Sequence, residues 1–113
     1  MVTTLNNLAA NYFRKKGFKT ESDVVMEGVS GIPRVFDLVV TKPNEQRVVQ
    51  ILSWKRTVGI NIVINLDKAS EDVGFTKPIV ISEKFSSHAK AYANRKGLTL
   101  LTRQEISKYW QHR

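Results

Sequence analysis

The chain has 113 residues, enough for one hydrophobic core and too few for two, so residues 1–113 are expected to form a single domain. Its 42% hydrophobic and 25% charged content is ordinary for a soluble globular protein, but 18 Lys and Arg against 10 Asp and Glu leave a net charge of +8, which favours a polyanionic partner, nucleic acid first. The absence of cysteine excludes a disulfide framework and a thiolate metal site; no charged segment leads into an apolar run and no apolar stretch approaches a membrane span, so a cytoplasmic location without a membrane partner is expected.

Leu5, Leu8, Ala9, Tyr12 and Phe13 recur at helical spacing and predict an amphipathic helix over Thr3 to Lys16. Thr3 or Thr4 can cap its start, and Arg14, Lys15 and Lys16 suit the negative end of its dipole. Gly17 can end it in the left-handed conformation. Phe18 to Val29 reads as a strand of ragged polarity. Its Glu21, Asp23 and Glu27 read as solvated edge-strand charges, one of which could also stand in as a metal ligand. Gly28 to Pro33 is a loop by composition and delivers Arg34, a candidate phosphate contact.

Val35 to Val40 and Arg47 to Arg56 are β-branched, apolar runs around a polar turn with Pro43 and Asn44, which predicts a β-hairpin. Thr57 to Gly74 fits two patterns. Ile60, Ile62 and Ile64 alternate like a strand, whereas Ile62, Val63, Leu66, Ala69 and Val73 follow helical spacing, and length favours the helix. Pro78 to Ser82 is a short buried strand. Ser86 or Ser87 caps a helix with Ala89, Tyr92 and Ala93 inward, ended by Gly97 and made basic by Lys84, Lys90, Arg95 and Lys96. Leu98 to Leu101 is a further strand. Thr102 and Glu105 have capping-box spacing and open a last helix with Ile106, Tyr109 and Trp110 on one face.

Two polar side chains interrupt the hairpin. Asp37 sits inside an apolar strand, where a carboxylate is costly to bury without a partner or a cation. Gln50 intrudes likewise on the second strand, and the two can converge on one spot, as ligands of a divalent cation must. Trp54 is a core residue by default and a stacking platform for an exposed base in the sharper reading. Lys55 and Arg56 add positive charge beside it. His88 has no second ligand at metal spacing and reads as a surface residue; His112 lies in the tail. No glycine-rich phosphate loop, Ser-His-Asp set or paired-His helix is present.

The order of elements, with Leu5 to Gly17, Gly31 to Asp37, Val48 to Trp54 and Lys77 to Thr102, resembles the restriction-endonuclease-like nucleases. The nearest types are the Mrr-type enzymes and the archaeal Holliday-junction resolvases. The resemblance implies an α/β fold with a central mixed sheet flanked by helices. It also implies an acid in the first helix, an Asp on one strand, and an acid or Gln two residues before a Lys on the next. Asp37 matches the Asp and Gln50 the Gln variant, which makes them the implied catalytic and metal residues with magnesium as the implied ion. The lysine position falls on Leu52 and the helix acid falls near Asn6. Lys55 is the nearest substitute for the lysine, although regular alternation would place it on the other face of the strand. The resulting expectation is a DNA-binding protein on a nuclease scaffold with an eroded, weak or inactive centre. Arg34, Trp54, Lys55, Arg56, Lys90, Arg95 and Lys96 are its candidate contacts to duplex or branched DNA. The alternatives are an active magnesium-dependent endonuclease or resolvase, and an adaptor module that does not bind nucleic acid. A homodimer is compatible with each.

Overall fold

The computed structural model describes residues 4–111, with side chains as far as Lys108. The first helix, α1 (Leu5–Lys15), starts where the Thr4 hydroxyl accepts the Asn7 N–H at 3.2 Å. It stops at Gly17, whose φ of +92° few other residues adopt. Leu5, Ala9, Tyr12 and Phe13 are buried on the stripe that their spacing predicts, with Leu8 half-buried beside them.

Three antiparallel strands follow: β1 (Lys19–Glu27), β2 (Pro33–Lys42) and β3 (Glu45–Ile51). The ambiguous segment is helical, α2 (Ile60–Asp72), since only a helix buries Val63 and Leu66 together. Then come β4 (Ile79–Ser82), α3 (Ser87–Lys96), β5 (Thr99–Thr102) and α4 (Arg103–Gln111). Ser86 caps α3, and Gly97 ends it at a φ of +81°. At the start of α4 the capping box closes both ways: the Thr102 N–H donates to Glu105 at 2.8 Å, and the Glu105 N–H to the Thr102 hydroxyl at 3.1 Å. Tyr109, Trp110 and His112 lie outside the described side chains, so the apolar face expected for α4 is described only through its fully buried Ile106.

The sheet has the order β1-β2-β3-β4-β5, antiparallel up to β3 and parallel from β3 to β5. It is a mixed sheet between two helical layers. One face packs Leu38, Val40, Val49, Ile51, Ile79 and Ile81 against α1 and α4. The other packs Val39, Val48 and Val80 against Val63 and Leu66 of α2 and Ala89 and Ala93 of α3. Continuous apolar runs in β4 follow from burial on both faces.

The second hairpin strand is shorter than its sequence suggests. It ends at Ile51, and residues 52–59 run irregularly beside the exit of β4, held by Leu52 N–H to Ile81 O at 2.8 Å and Val58 N–H to Lys84 O at 3.0 Å. Trp54, Lys55 and Arg56 therefore lie outside the strand, and the alternation argument about Lys55 does not apply to it.

Candidate functional site

Asp37 marks the point where β1 and β2 change faces. Leu38 and Val40 point to the α1 side, but Phe36, of the same parity, is buried on the α2 side. Strand β1 does the same: Ser22 lines a cavity on the α1 side, while Val24 and Met26 pack with the α2–α3 core. The register does not slip, since Ser22 pairs with Leu38 and Val24 with Phe36. Both strands therefore turn over together at the intervening positions, Asp23 and Asp37, where the ladder is interrupted. Asp23 accommodates the turn with a φ of +51°, a region that Asp tolerates better than most residues.

The turn also separates β2 from β3 beyond the pair Leu38–Val49. Past that fork the Ile51 N–H has no strand partner, and the Asp37 carboxylate takes its place: Oδ2 accepts the Ile51 N–H at 2.7 Å and the Gln50 side-chain amide at 3.0 Å. The other oxygen, Oδ1, has no hydrogen-bond partner among the described residues. The two expected site residues are thus in contact, yet they border different spaces. Asp37 lines a cavity of about 460 Å³ under α1, with Asn6, Asn7, Asn11, Arg14 and Asp23. Gln50 lines a groove of about 400 Å³ between the β1–β2 hairpin and α2.

The residues that occupy the expected catalytic positions differ in chemistry from the pattern. Asn6 is a neutral amide in the cavity of Asp37. Leu52 is half-buried against the α2–α3 core and forms part of the groove wall. Lys55 is exposed in the irregular segment and makes no hydrogen bond or ion pair with Asp37 among the described residues. Asp23 does share the cavity with Asp37, while Glu21 and Glu27 are exposed on the edge strand. Among the described residues no three Asp, Glu, His or Cys side chains converge where they could hold a metal ion. Two carboxylates are a number that magnesium accepts, but one oxygen of Asp37 is already engaged by Ile51 and Gln50, and the other polar groups of the cavity are neutral amides, Ser22 and the cationic Arg14, which makes the set a weak one for the ion.

The candidate nucleic-acid contacts divide into two groups. Arg34 is already committed: its Nε donates to Asp72 Oδ2 at 2.9 Å. Asp72 also accepts the Ser30 N–H at 2.9 Å and the Ser30 hydroxyl at 2.7 Å, and these bonds, with the Arg34 guanidinium, hold its carboxyl below the usual range. The lock fastens the hairpin tip to the end of α2. Sequence reasoning missed Asp72, since its partners lie 42 and 38 positions away and no local pattern connects them. Gly28 carries a trace of it, because a Cβ there would overlap the Asp72 carboxylate. In the second group, Lys55, Arg56, Lys90, Arg95 and Lys96 are all exposed. The Arg56 guanidinium lies 4.2 Å from the centre of the Trp54 ring, and that of Arg95 lies 5.7 Å from Tyr92. Trp54 is half-buried against the α2–α3 core and also borders the groove, so packing and exposure coexist in it. His88 is exposed in the first turn of α3.

Comparison with solved structures finds the same fold in several proteins. The protein of unknown function AF1548 aligns with a TM-score of 0.79 at 22% identity over 86% of this chain and 55% of its own. VC1899 from Vibrio cholerae aligns with a TM-score of 0.73 at 13% identity over 96% of this chain and 32% of its own. A repair endonuclease from Pyrococcus abyssi aligns with a TM-score of 0.60 at 14% identity over 90% of this chain and 47% of its own. This chain therefore spans between a third and about half of those proteins. A search of curated proteins finds no match. The family model Mrr_cat, restriction endonuclease, matches residues 2–110, nearly the whole chain, and the chain belongs to that family.

Proposed function

We propose that this chain is a DNA-binding protein built on a nuclease scaffold whose phosphodiesterase centre is degenerate. The observation that carries the reading is the state of the centre itself. The Asp37 carboxylate substitutes for a missing strand partner of Ile51, and the residue at the lysine position, Leu52, lies in an apolar wall. Hydrolysis of a phosphodiester by this family's chemistry needs a charged oxygen site for a divalent ion and a cation to stabilise developing charge. Loss of one charge-stabilising group commonly costs about two to three powers of ten in rate. Loss of the helix acid, with Asn6 in its place, weakens the ion site further. At most a weak magnesium site remains at Asp37, since Gln50, the other expected ligand, turns its amide N–H to Asp37 and borders the separate groove.

DNA remains the expected partner because the chain carries a net +8 and its exposed cations, Lys55, Arg56, Lys90, Arg95 and Lys96, form no ion pair among the described residues. One structural neighbour, EndoMS, was solved in complex with double-stranded DNA, at a TM-score of 0.57 and 13% identity, which supports the partner class by fold analogy alone.

A second reading, a weakly active endonuclease acting on duplex or branched DNA, is favoured by one observation: Asp23 and Asp37 border the same cavity. In that reading Asp23 stands in for the helix acid and Lys55 for the lysine. The deciding experiment is a nicking assay on plasmid and branched DNA with magnesium or manganese. It compares the wild type with Asp37→Ala and Leu52→Lys. The proposal expects no nicking by the wild type and a gain only in Leu52→Lys. Wild-type nicking that Asp37→Ala abolishes would overturn it and make Asp23 and Lys55 the residues to substitute next.

A further inference from the structure

We infer that the groove between the β1–β2 hairpin and α2 holds a single unstacked nucleobase of a bound nucleic-acid strand, an inference that rests on the DNA-binding reading above. The groove holds about 400 Å³, within the ~300–1,000 Å³ range of small-molecule sites. Phe36 and Leu66, both buried, contribute apolar surface from opposite sides, the hairpin and α2; Leu52 and Trp54 contribute it from the segment after β3. Of these, the part-exposed Trp54 ring is the surface on which a base can stack, and the leucines and buried Phe36 form the apolar walls around it.

Two carboxamides converge on the same space. Gln50 enters from the end of β3 and Asn65 from α2. Each offers a donor and an acceptor on one planar group, the pattern that pairs with the edge of a base. One N–H of Gln50 is held by Asp37 at 3.0 Å, which fixes the amide and leaves its carbonyl oxygen and second N–H for a ligand. The Asp72 lock ties the hairpin to the end of α2 through Ser30 and Arg34, and Arg34 is itself a groove residue. Beside the groove the Arg56 guanidinium lies against Trp54, where it can meet the phosphate next to an inserted base.

The leucine at the lysine position gains a purpose in this arrangement. A lysine at 52 would put a charge into the apolar wall, whereas Leu52 keeps that wall dry. A residue change that removes catalytic chemistry thus completes a stacking surface. A peptide in the same groove is the competing occupant, but the paired carboxamides and the adjoining cation match a base and its phosphate more fully than an apolar side chain.

The test measures binding of two labelled duplexes of one sequence, fully paired and carrying a single-nucleotide bulge, by fluorescence anisotropy at low salt. The wild type is expected to favour the bulged duplex by roughly tenfold, the order that stacking of one base supplies. Trp54→Ala and Asn65→Leu should bring that ratio towards one, and Trp54→Phe should keep most of it. Lys90→Ala should weaken both duplexes alike and leave the ratio intact. Where circular dichroism shows Trp54→Ala to be unfolded, Asn65→Leu decides. Equal wild-type affinity for the two duplexes, or a ratio that neither groove variant lowers, overturns the inference while the DNA-binding reading stands. Binding to neither duplex at low salt overturns the DNA-binding reading itself, and this inference with it.

Discussion

At Asp37 one carboxylate satisfies two demands of the fold. It closes the fork where β2 leaves β3, and it restrains Gln50. Removing it leaves the N–H of the buried Ile51 unpaired, which costs about 1–3 kcal/mol. Asp37→Ala should therefore lower the urea midpoint with an unchanged slope, and Asp37→Asn, which keeps an acceptor, should lower it less. A purely catalytic acid would give no such loss. Asp72 makes a second residue-scale prediction. Its carboxyl is held below the ordinary value first by the Ser30 hydroxyl and N–H, then by Arg34. Between the lowered folded value and the ordinary value of about 3.9, the unfolded chain binds the extra proton. The stability contributed by Asp72 is thus fully present above that ordinary value and is lost as the pH falls through the folded value. In Asp72→Asn, the fall of thermal midpoint over that acidic range should be shallower than in the wild type.

Among the elements, α3 depends most visibly on its ends. Its sequence, Ser87 to Lys96, is polar apart from Tyr92 and three alanines, of which Ala89 and Ala93 are buried, so little apolar area holds it down. The Ser86 hydroxyl accepts the Ala89 N–H at 3.1 Å. Ser86→Ala should cost about 1 kcal/mol, read from chemical denaturation. The β1–β2 hairpin depends on a distant contact instead. Beyond the face switch, Val25 and Val35 are 64% exposed on its outer side, so burial stabilises only one face of it. Gly28→Ala would push aside the Asp72 carboxylate that pins its tip. That variant should raise amide exchange in residues 24–36 well before it affects α1 or β4, because local opening follows local contacts. Uniform exchange along the chain would show that the lock does not hold the hairpin.

For the molecule as a whole, charge rather than shape decides the expected binding. In the DNA-binding proposal, exposed cations on α3 and after β3 would neutralise phosphates and release counterions, and that contribution would carry no sequence preference. Affinity for a random duplex should fall by at least about tenfold as salt rises from about 50 mM to about 200 mM. An affinity insensitive to salt would mean that the +8 serves solubility alone.

What the sequence alone determined is whatever repeats over a few residues. The stripe of α1, its cap narrowed to Thr3 or Thr4, that of α3 narrowed to Ser86 or Ser87, the capping box at Thr102, the stops at Gly17 and Gly97, and the hairpin around Pro43 and Asn44 are all set by contacts between near neighbours. The strand carrying Asp37 and the polar intrusion at Gln50 were legible too, because each interrupts a continuous apolar run, and with the order of elements, Leu52 and Asn6 they carried the resemblance to the family and its departures from type. Tertiary structure alone decided the rest. Strand β3 loses its β2 partner after Val49 and ends at Ile51, where its pairing with β4 also stops, although the residues beyond it remain strand-like in type. Asp37 and Gln50 touch and yet border separate spaces because β1 and β2 turn over together at Asp23. Arg34 is committed to Asp72, and Asn65 joins Gln50 at one groove, through contacts between residues far apart in the chain. Local periodicity contains no term for such contacts; they exist only once the two cores have packed.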